Sequence, residues 1–203
     1  MATTAFEGVD CLNLEFGQSV VVYGIGAVGL LGICACILKG AGRVIGIGSR
    51  PICFDIAKEY GATDLVNYKD GDVVDQVFAK NGGPVDRVLV CGGSEISVLA
   101  NAVKMVRPGG TVINVAAFMH DKDFVLPNDS WYFGIGDKTI RGCVTRGGGV
   151  FLERLMSLCQ YGRFQPEKIV TSVFHGMEHI PEALDKMGGR DRNSIKPVVF
   201  FDK

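Results

Sequence analysis

The sequence predicts a doubly wound α/β fold, a parallel six-stranded sheet with helices on both faces, and three observations carry that prediction. Short β-branched runs bounded by glycine alternate with helical segments over most of the 203-residue chain. The strand candidates are continuous apolar runs, not alternating ones, as expected of parallel strands covered on both faces. They recur at intervals of about 20 to 28 residues, which suits right-handed βαβ crossovers.

The elements follow in order. Residues 19–23 (SVVVY) read as the first strand, and 29–40 as a buried helix rich in Leu, Ile, Ala and Cys. Residues 43–47 (RVIGI) form the second strand, followed by a helix over 51–60 that opens with Pro51 at its first position, where no N–H is needed. A short third strand spans 64–67, then a helix 71–80, a fourth strand 85–91 and a helix 96–106. Arg107-Pro108-Gly109-Gly110 reads as a turn into a fifth strand, 111–115, and 138–144 is the sixth. Beyond residue 145 the rhythm changes. Gly147-Gly148-Gly149 introduces a helix to about Tyr161; then come a strand 168–174, a helix 180–187, a polar loop 188–194 and a strand 195–201. These last two strands have no obvious neighbour and are expected to need partners from elsewhere. A boundary near residue 145 is therefore predicted.

Composition excludes several classes of partner. Hydrophobic residues make up 47% and charged residues 21%, with a formal net charge of −1, which gives no reason to expect nucleic acid or a membrane. The most apolar stretch, 28–38, is far short of the about 20 residues a bilayer requires. Residues 1–10 lack the basic and apolar regions of a signal peptide. Seven cysteines are an odd count and several lie in apolar runs, as reduced thiols do in the cytosol, so a cytoplasmic location is expected.

The first candidate site is Gly24-Ile25-Gly26-Ala27-Val28-Gly29. A bare G-x-G-x-x-G is a weak signal in a chain with 28 glycines. Here an apolar strand runs directly into the motif and a helix begins within it, which is the order a Rossmann dinucleotide site requires. Gly24 permits the tight turn, Gly26 lets the backbone approach a pyrophosphate, and Gly29 allows helix and strand to pack closely. The N–H groups at the start of the helix face the phosphates. The alternative is a glycine turn without a ligand.

The second candidate site selects between cofactors. An NAD-binding chain usually ends its second strand in Asp or Glu, whose carboxylate accepts hydrogen bonds from the ribose hydroxyls. Here the strand runs Gly46-Ile47-Gly48-Ser49-Arg50-Pro51, with no carboxylate to repel a 2′-phosphate. Gly48 leaves room, Ser49 offers a hydroxyl and an N–H, and Arg50 offers a guanidinium fork suited to phosphate. NADP is therefore the expected cofactor. Ser49 or Arg50 capping the next helix is the alternative, and the two roles are compatible.

Residues 48–71 (GSRPICFDIAKEYGATDLVNYKDG), with Gly24–Gly29 before them, resemble the NADP-dependent secondary-alcohol dehydrogenases of the zinc-dependent medium-chain dehydrogenase/reductase superfamily. The resemblance extends through Val106-Arg107-Pro108-Gly109-Gly110-Thr111, Lys138-Thr139-Ile140, Leu152-Glu153-Arg154-Leu155 and Ile195-Lys196-Pro197-Val198-Val199. It implies that Gly48, Ser49, Arg50 and Tyr68 surround the 2′-phosphate, although packing at a strand end is the simpler account of Tyr68. It also implies that Ile25 to Val28 line the pyrophosphate turn, that Val115, Ala116 and Ala117 lie near the nicotinamide half, and that Arg190 is a basic cofactor contact. The implied partners are NADP(H) and a small secondary alcohol or ketone.

The departures from the family are specific. Its catalytic zinc is held by side chains from an N-terminal domain and by an Asp just before the segment that resembles Met1-Ala2-Thr3-Thr4. No metal ligand and no catalytic residue is therefore expected in this chain. The resemblance makes 1–17 a remnant or linker helix of the catalytic domain, 18–145 the NADP-binding Rossmann domain, and 146–203 the C-terminal remnant of a split catalytic domain. Ala116-Ala117 stands where the family has Asn-Tyr, and Cys143-Val144-Thr145-Arg146-Gly147-Gly148 where it has Gly-x-Cys-Pro-Gly-Gly.

His175-Gly176-Met177-Glu178-His179 matches H-x-x-E-H, but that chemistry needs both histidines on one helical face, and His175 is expected to end a strand. Cys34 and Cys36, two apart on a helix, point to different sides. Two functions are expected from different classes: the cofactor half of an NADP-dependent alcohol dehydrogenase, inactive alone, or a non-catalytic NADPH-binding or oligomerisation module. A zinc-free quinone-reductase-like activity is a third. Uncovered apolar faces and open strand edges predict a homo-oligomer, and the resemblance implies that it joins through the 138–144 edge.

Overall fold

The computed structural model describes residues 1–93, 95–120, 123–145 and 147–201, apart from the side chains of Gly189 and Arg190. Six strands, β1 (Ser19–Tyr23), β2 (Arg43–Gly48), β3 (Asp64–Asn67), β4 (Val85–Val90), β5 (Val106–Asn114) and β6 (Thr139–Gly142), form one sheet in the order β3-β2-β1-β4-β5-β6. Every neighbouring pair is parallel. The doubly wound reading therefore holds, and most strand and helix ends fall within two residues of their expected places.

The helices are α1 (Ala2–Cys11), α2 (Ala27–Leu38), α3 (Pro51–Glu59), α4 (Val73–Asn81), α5 (Ser97–Met105), α6 (Gly149–Gln160) and α7 (Ile180–Asp185). Strand residues alternate between the two faces of the sheet, and both faces are apolar, so both are covered. On one face Val20, Val22, Val44, Leu89 and Ile113 pack against α1, α2 and α3. On the other, Val21, Ile45, Ile47, Val88 and Val112 pack against α4 and α5.

Two expectations need correction. Residues 107–110 are not a turn ahead of a fifth strand, because Val106 already pairs with Val85. The ladder resumes at Arg87 and Thr111, so the Pro-Gly-Gly run bulges out of β5 instead of preceding it. The last two strands also do not lack neighbours. β7 (Val170–His175) and β8 (Lys196–Phe200) pair with each other in parallel, with Val173 opposite Val198. A parallel pair needs a crossover of a dozen or more residues, which α7 and the π-turn after it supply.

The C-terminal part packs on the first face of the sheet. Leu155, Phe164, Ile169 and Ile195 join the core formed by α1 and α2, and the Phe6 and Phe164 rings meet edge to face with centroids 5.0 Å apart. The Tyr60 hydroxyl donates to the Gln165 carbonyl at 2.7 Å. At the amino ends of the strands, Asp86 accepts from the Ser19 N–H and hydroxyl and from Arg107. Burial alone would raise its pKa, but those hydrogen bonds outweigh it and hold the carboxyl below its ordinary value. Asp86 thereby joins β1, β4 and β5 at the sheet edge opposite the glycine motif. No helix among the described residues is long and apolar enough to cross a membrane.

Candidate functional site

The strand order turns about at β1, since β2 lies on one side of it and β4 on the other. In such sheets the connections leave toward opposite faces at that point and open a crevice at the carboxyl ends of the strands. A cavity of about 560 Å³ occurs there, bordered by the ends of β1 and β2 and the residues after β4.

The glycine motif shapes its floor. Gly24 leaves β1 with φ +88°, and its N–H and that of Ile25 both donate to the Ile47 carbonyl at 3.0 Å. A Cβ on Gly24 would lie 2.6 Å from the Gly92 carbonyl oxygen, so the two glycine backbones abut across the crevice. A Cβ on Gly29 would run into the Gly24 carbonyl oxygen, which makes the spacing of the two glycines a packing requirement. Gly26 caps α2 in an extended conformation and its carbonyl accepts from Leu30 N–H. The N–H groups of Ala27, Val28 and Gly29 thus fall in the first helical turn, where no carbonyl four residues back is available within the helix. With the partial positive charge of the helix start, they make an anion-binding corner.

The end of β2 forms the next wall. Ser49 Oγ donates to Tyr68 Oη at 2.7 Å, and Tyr68 is half exposed. Arg50 Nη1 donates to the Ser194 carbonyl at 2.8 Å, while Nη2 stands above Gly26, 3.9 Å from where a Cβ would be. Gly48 has a different reason from the open space expected for it: a Cβ there would meet Ile25 at 2.5 Å, so Ile25 fills that space. Among the described residues lining the crevice there is no carboxylate. Burial raises the pKa of Tyr23 and Cys91, and that of Cys53 against the opposing influence of Arg50, so these groups are neutral near pH 7. The guanidinium is a permanent charge.

The crevice therefore brings together Gly24, Ile25, Gly26, Gly48, Ser49, Arg50 and Tyr68. Val115, Ala116 and Ala117 are not in its lining; they follow β5, where Ala116 N–H bonds to the Asn114 side chain at 3.1 Å. Arg190 ends the π-turn Lys186–Arg190, and its side chain lies outside the described residues. Sequence reasoning missed Arg192, whose guanidinium donates to the Ser49 carbonyl at 3.4 Å, and also Ser97 and Asn101 on the far wall. Arg192 sits in a stretch that reads only as a polar loop, with no spacing that marks it. A second depression, of about 520 Å³, lies at the C-terminal end of α6, where a helix presents carbonyl oxygens, the wrong polarity for phosphate.

The remaining candidates separate. His175 ends β7, and Gly176 with φ +93° leads into the 3-10 turn Met177–His179, so the two histidines do not share a helical face. Cys34 and Cys36 lie in the core, where burial pushes their thiols up to about 11 and about 12.

A parallel sheet in this order, with a glycine turn feeding a helix at its switch point, defines a Rossmann-like fold. Residues 27–160 match the zinc-binding dehydrogenase family, and the chain belongs to it. It is 46% identical over 202 residues to the NADP-dependent isopropanol dehydrogenase of Clostridium beijerinckii, covering 99% of this chain and 57% of that protein. It is 44% identical to the enzyme of the same name from Thermoanaerobacter brockii, again over 99% of this chain and 57% of that protein. Among solved structures, alcohol dehydrogenase TADH from Thermus sp. ATN1 superposes with a TM-score of 0.83 at 30% identity, covering 97% of this chain and 55% of that one. The chain thus spans a little over half the length of the relatives it matches.

The residues present fit the dinucleotide that the family implies. For a dinucleotide phosphate there are the first-turn amides of α2 and the acid-free wall at Ser49 and Arg50.

Proposed function

We propose that this chain is the NADP(H)-binding part of an oxidoreductase that interconverts small secondary alcohols and ketones. The observation that carries the proposal is the crevice at the carboxyl ends of β1 and β2, with a glycine turn on its floor and hydroxyl and guanidinium groups, without a carboxylate, on its wall. When bound, NADP(H) supplies or accepts the hydride. The first-turn N–H groups of Ala27, Val28 and Gly29 take the pyrophosphate. Ser49, Arg50 and Tyr68 take the 2′-phosphate, with Arg192 adding charge from the adjacent loop. Arg190 is a further basic contact, and Val115, Ala116 and Ala117 flank the nicotinamide side. The substrate class rests on the isopropanol named for the relatives. The same reading divides the chain into a linking helix at 1–17, the cofactor domain at 18–145 and a C-terminal part at 146–203.

Calorimetric titration of the purified chain with NADPH and, in parallel, NADH tests the reading. NADPH is expected to bind at least about tenfold more tightly, the ratio that about 1.4 kcal/mol of phosphate contact produces. Equal affinities would remove the 2′-phosphate assignment and keep the fold; binding of neither would remove the cofactor assignment. Association through the edge strand β6 belongs to the same proposal, since Thr139, Arg141 and Gly142 on it are exposed. Light scattering at micromolar concentration is expected to give a dimer or larger, and a monomeric mass would count against it.

A further inference from the structure

We propose a zinc site formed by Glu7, Cys11 and Cys143, which clips the first helix to the edge of the main sheet. The site lies apart from the crevice and does not depend on the cofactor reading. Glu7 and Cys11 stand four residues apart on α1, so both side chains project from one helical face. Cys143 follows β6 and is held by its N–H, which donates to the Asn114 carbonyl at 2.8 Å. The Cys11 and Cys143 sulfurs are 3.3 Å apart, and Cys11 Sγ is 3.9 Å from Glu7 Oε1. One donor atom from each residue falls within 4.8 Å of the others.

The geometry is close to what zinc requires. With Zn–S near 2.3 Å and Zn–O near 2.1 Å, tetrahedral coordination places two sulfurs about 3.8 Å apart and sulfur and oxygen about 3.6 Å apart. The Cys11–Cys143 and Cys11–Glu7 separations are each within about half an ångström of these values, and Cys143 and Glu7 lie within 4.8 Å of each other, so side-chain torsions supply the remaining shift. Two thiolates select a thiophilic ion such as zinc over magnesium or calcium. Glu7 and Cys11 are buried, so the ion would be largely screened from solvent. The segment is aligned by a second contact one turn away, where Thr145 Oγ1 donates to Thr4 Oγ1 at 3.1 Å.

Burial, together with Cys11 and Glu7 beside it, pushes the Cys143 thiol up to about 11, with Arg141 opposing. Without a cation the Cys143 sulfur is therefore protonated near pH 7. On binding, each thiol gives its proton to the buffer, so one Zn²⁺ enters as two H⁺ leave. The spacing could also suit a disulfide, which would require an oxidant to accept two electrons; zinc requires none.

The test uses the purified chain, reduced and stripped with a chelator, then given one equivalent of zinc and desalted. About one zinc per chain is expected to remain by elemental analysis. The melting temperature should rise by about 5–10 °C at zinc well above its Kd. Cobalt in place of zinc should show thiolate-to-metal charge-transfer absorption. Cys143→Ser, at a half-exposed position, and Glu7→Gln, which keeps the side chain's shape, should each lose most of the bound metal while retaining the helical circular dichroism. Cys159→Ser, at an exposed cysteine elsewhere, should retain it. No retained zinc in the reduced chain, retention unchanged in Cys143→Ser, or a Cys11–Cys143 disulfide forming in preference under zinc would each overturn the proposal.

Discussion

Replacing Arg50 with alanine is expected to weaken NADPH binding about 10- to 100-fold while leaving NADH binding within about threefold, because a charge-assisted bond to phosphate is worth about 1.5–3 kcal/mol. Of the other described side chains on this wall, Ser49 and Tyr68 supply hydroxyls bonded to each other, and Arg192 is turned to the Ser49 carbonyl. Arg50→Lys should recover only part of the loss, since an ammonium keeps the charge but not the two-pronged donor geometry. Parallel titrations with the two cofactors are decisive. An equal loss for both would mean that Arg50 acts by holding the Ser194 carbonyl and not by meeting the 2′-phosphate.

Gly24→Ala should be strongly destabilising. The residue has φ +88°, where a Cβ costs about 1–2 kcal/mol. The new atom would also lie 2.6 Å from the Gly92 carbonyl oxygen and 2.7 Å from its nitrogen. Those are backbone atoms and cannot rotate aside, so the carboxyl ends of β1 and β4 must part. Overpacking of that kind adds about 1–3 kcal/mol, for a total of roughly 2–5 kcal/mol. Urea unfolding should show a midpoint well below that of the parent, with cofactor binding lost as well. Gly142→Ala is the matched control, because nothing lies within 4 Å of its Cβ position. Similar midpoints for the two variants would show that the turn can relax, and that its glycine serves the ligand alone.

The alternation of strands and helices was legible because the buried parallel strands are short β-branched runs and the crossovers from β1 through β5 are helical. Asp64–Asn67 and Ser19–Tyr23 fall where the sequence predicts them. The bulge in β5 was not legible: Pro108 and two glycines signal a turn, and only the pairing of Val106 with Val85 shows that the ladder begins before it. The β7–β8 pair was missed because parallel partners are separated by a crossover that leaves no local signal. At the candidate site the glycine spacing was readable, being imposed by backbone contact between Gly24 and Gly29. Arg192 and the Glu7–Cys11–Cys143 cluster were not, since what unites their members is proximity across more than 130 residues of chain.

The edge-to-face contact of Phe6 with Phe164 also bears on the order in which the molecule is completed. α1 precedes the sheet in the chain, and it finds α2 within a few dozen residues. Phe6 must wait until the sixth strand and the helix after it have been made before its ring is covered. Contacts of such long sequence separation slow folding, because the intervening chain must be closed before they repay its lost freedom. During translation the opposite face of the sheet, packed by α4 and α5, can close from neighbouring segments alone. The layer that holds α1 is thus sealed after the opposite one.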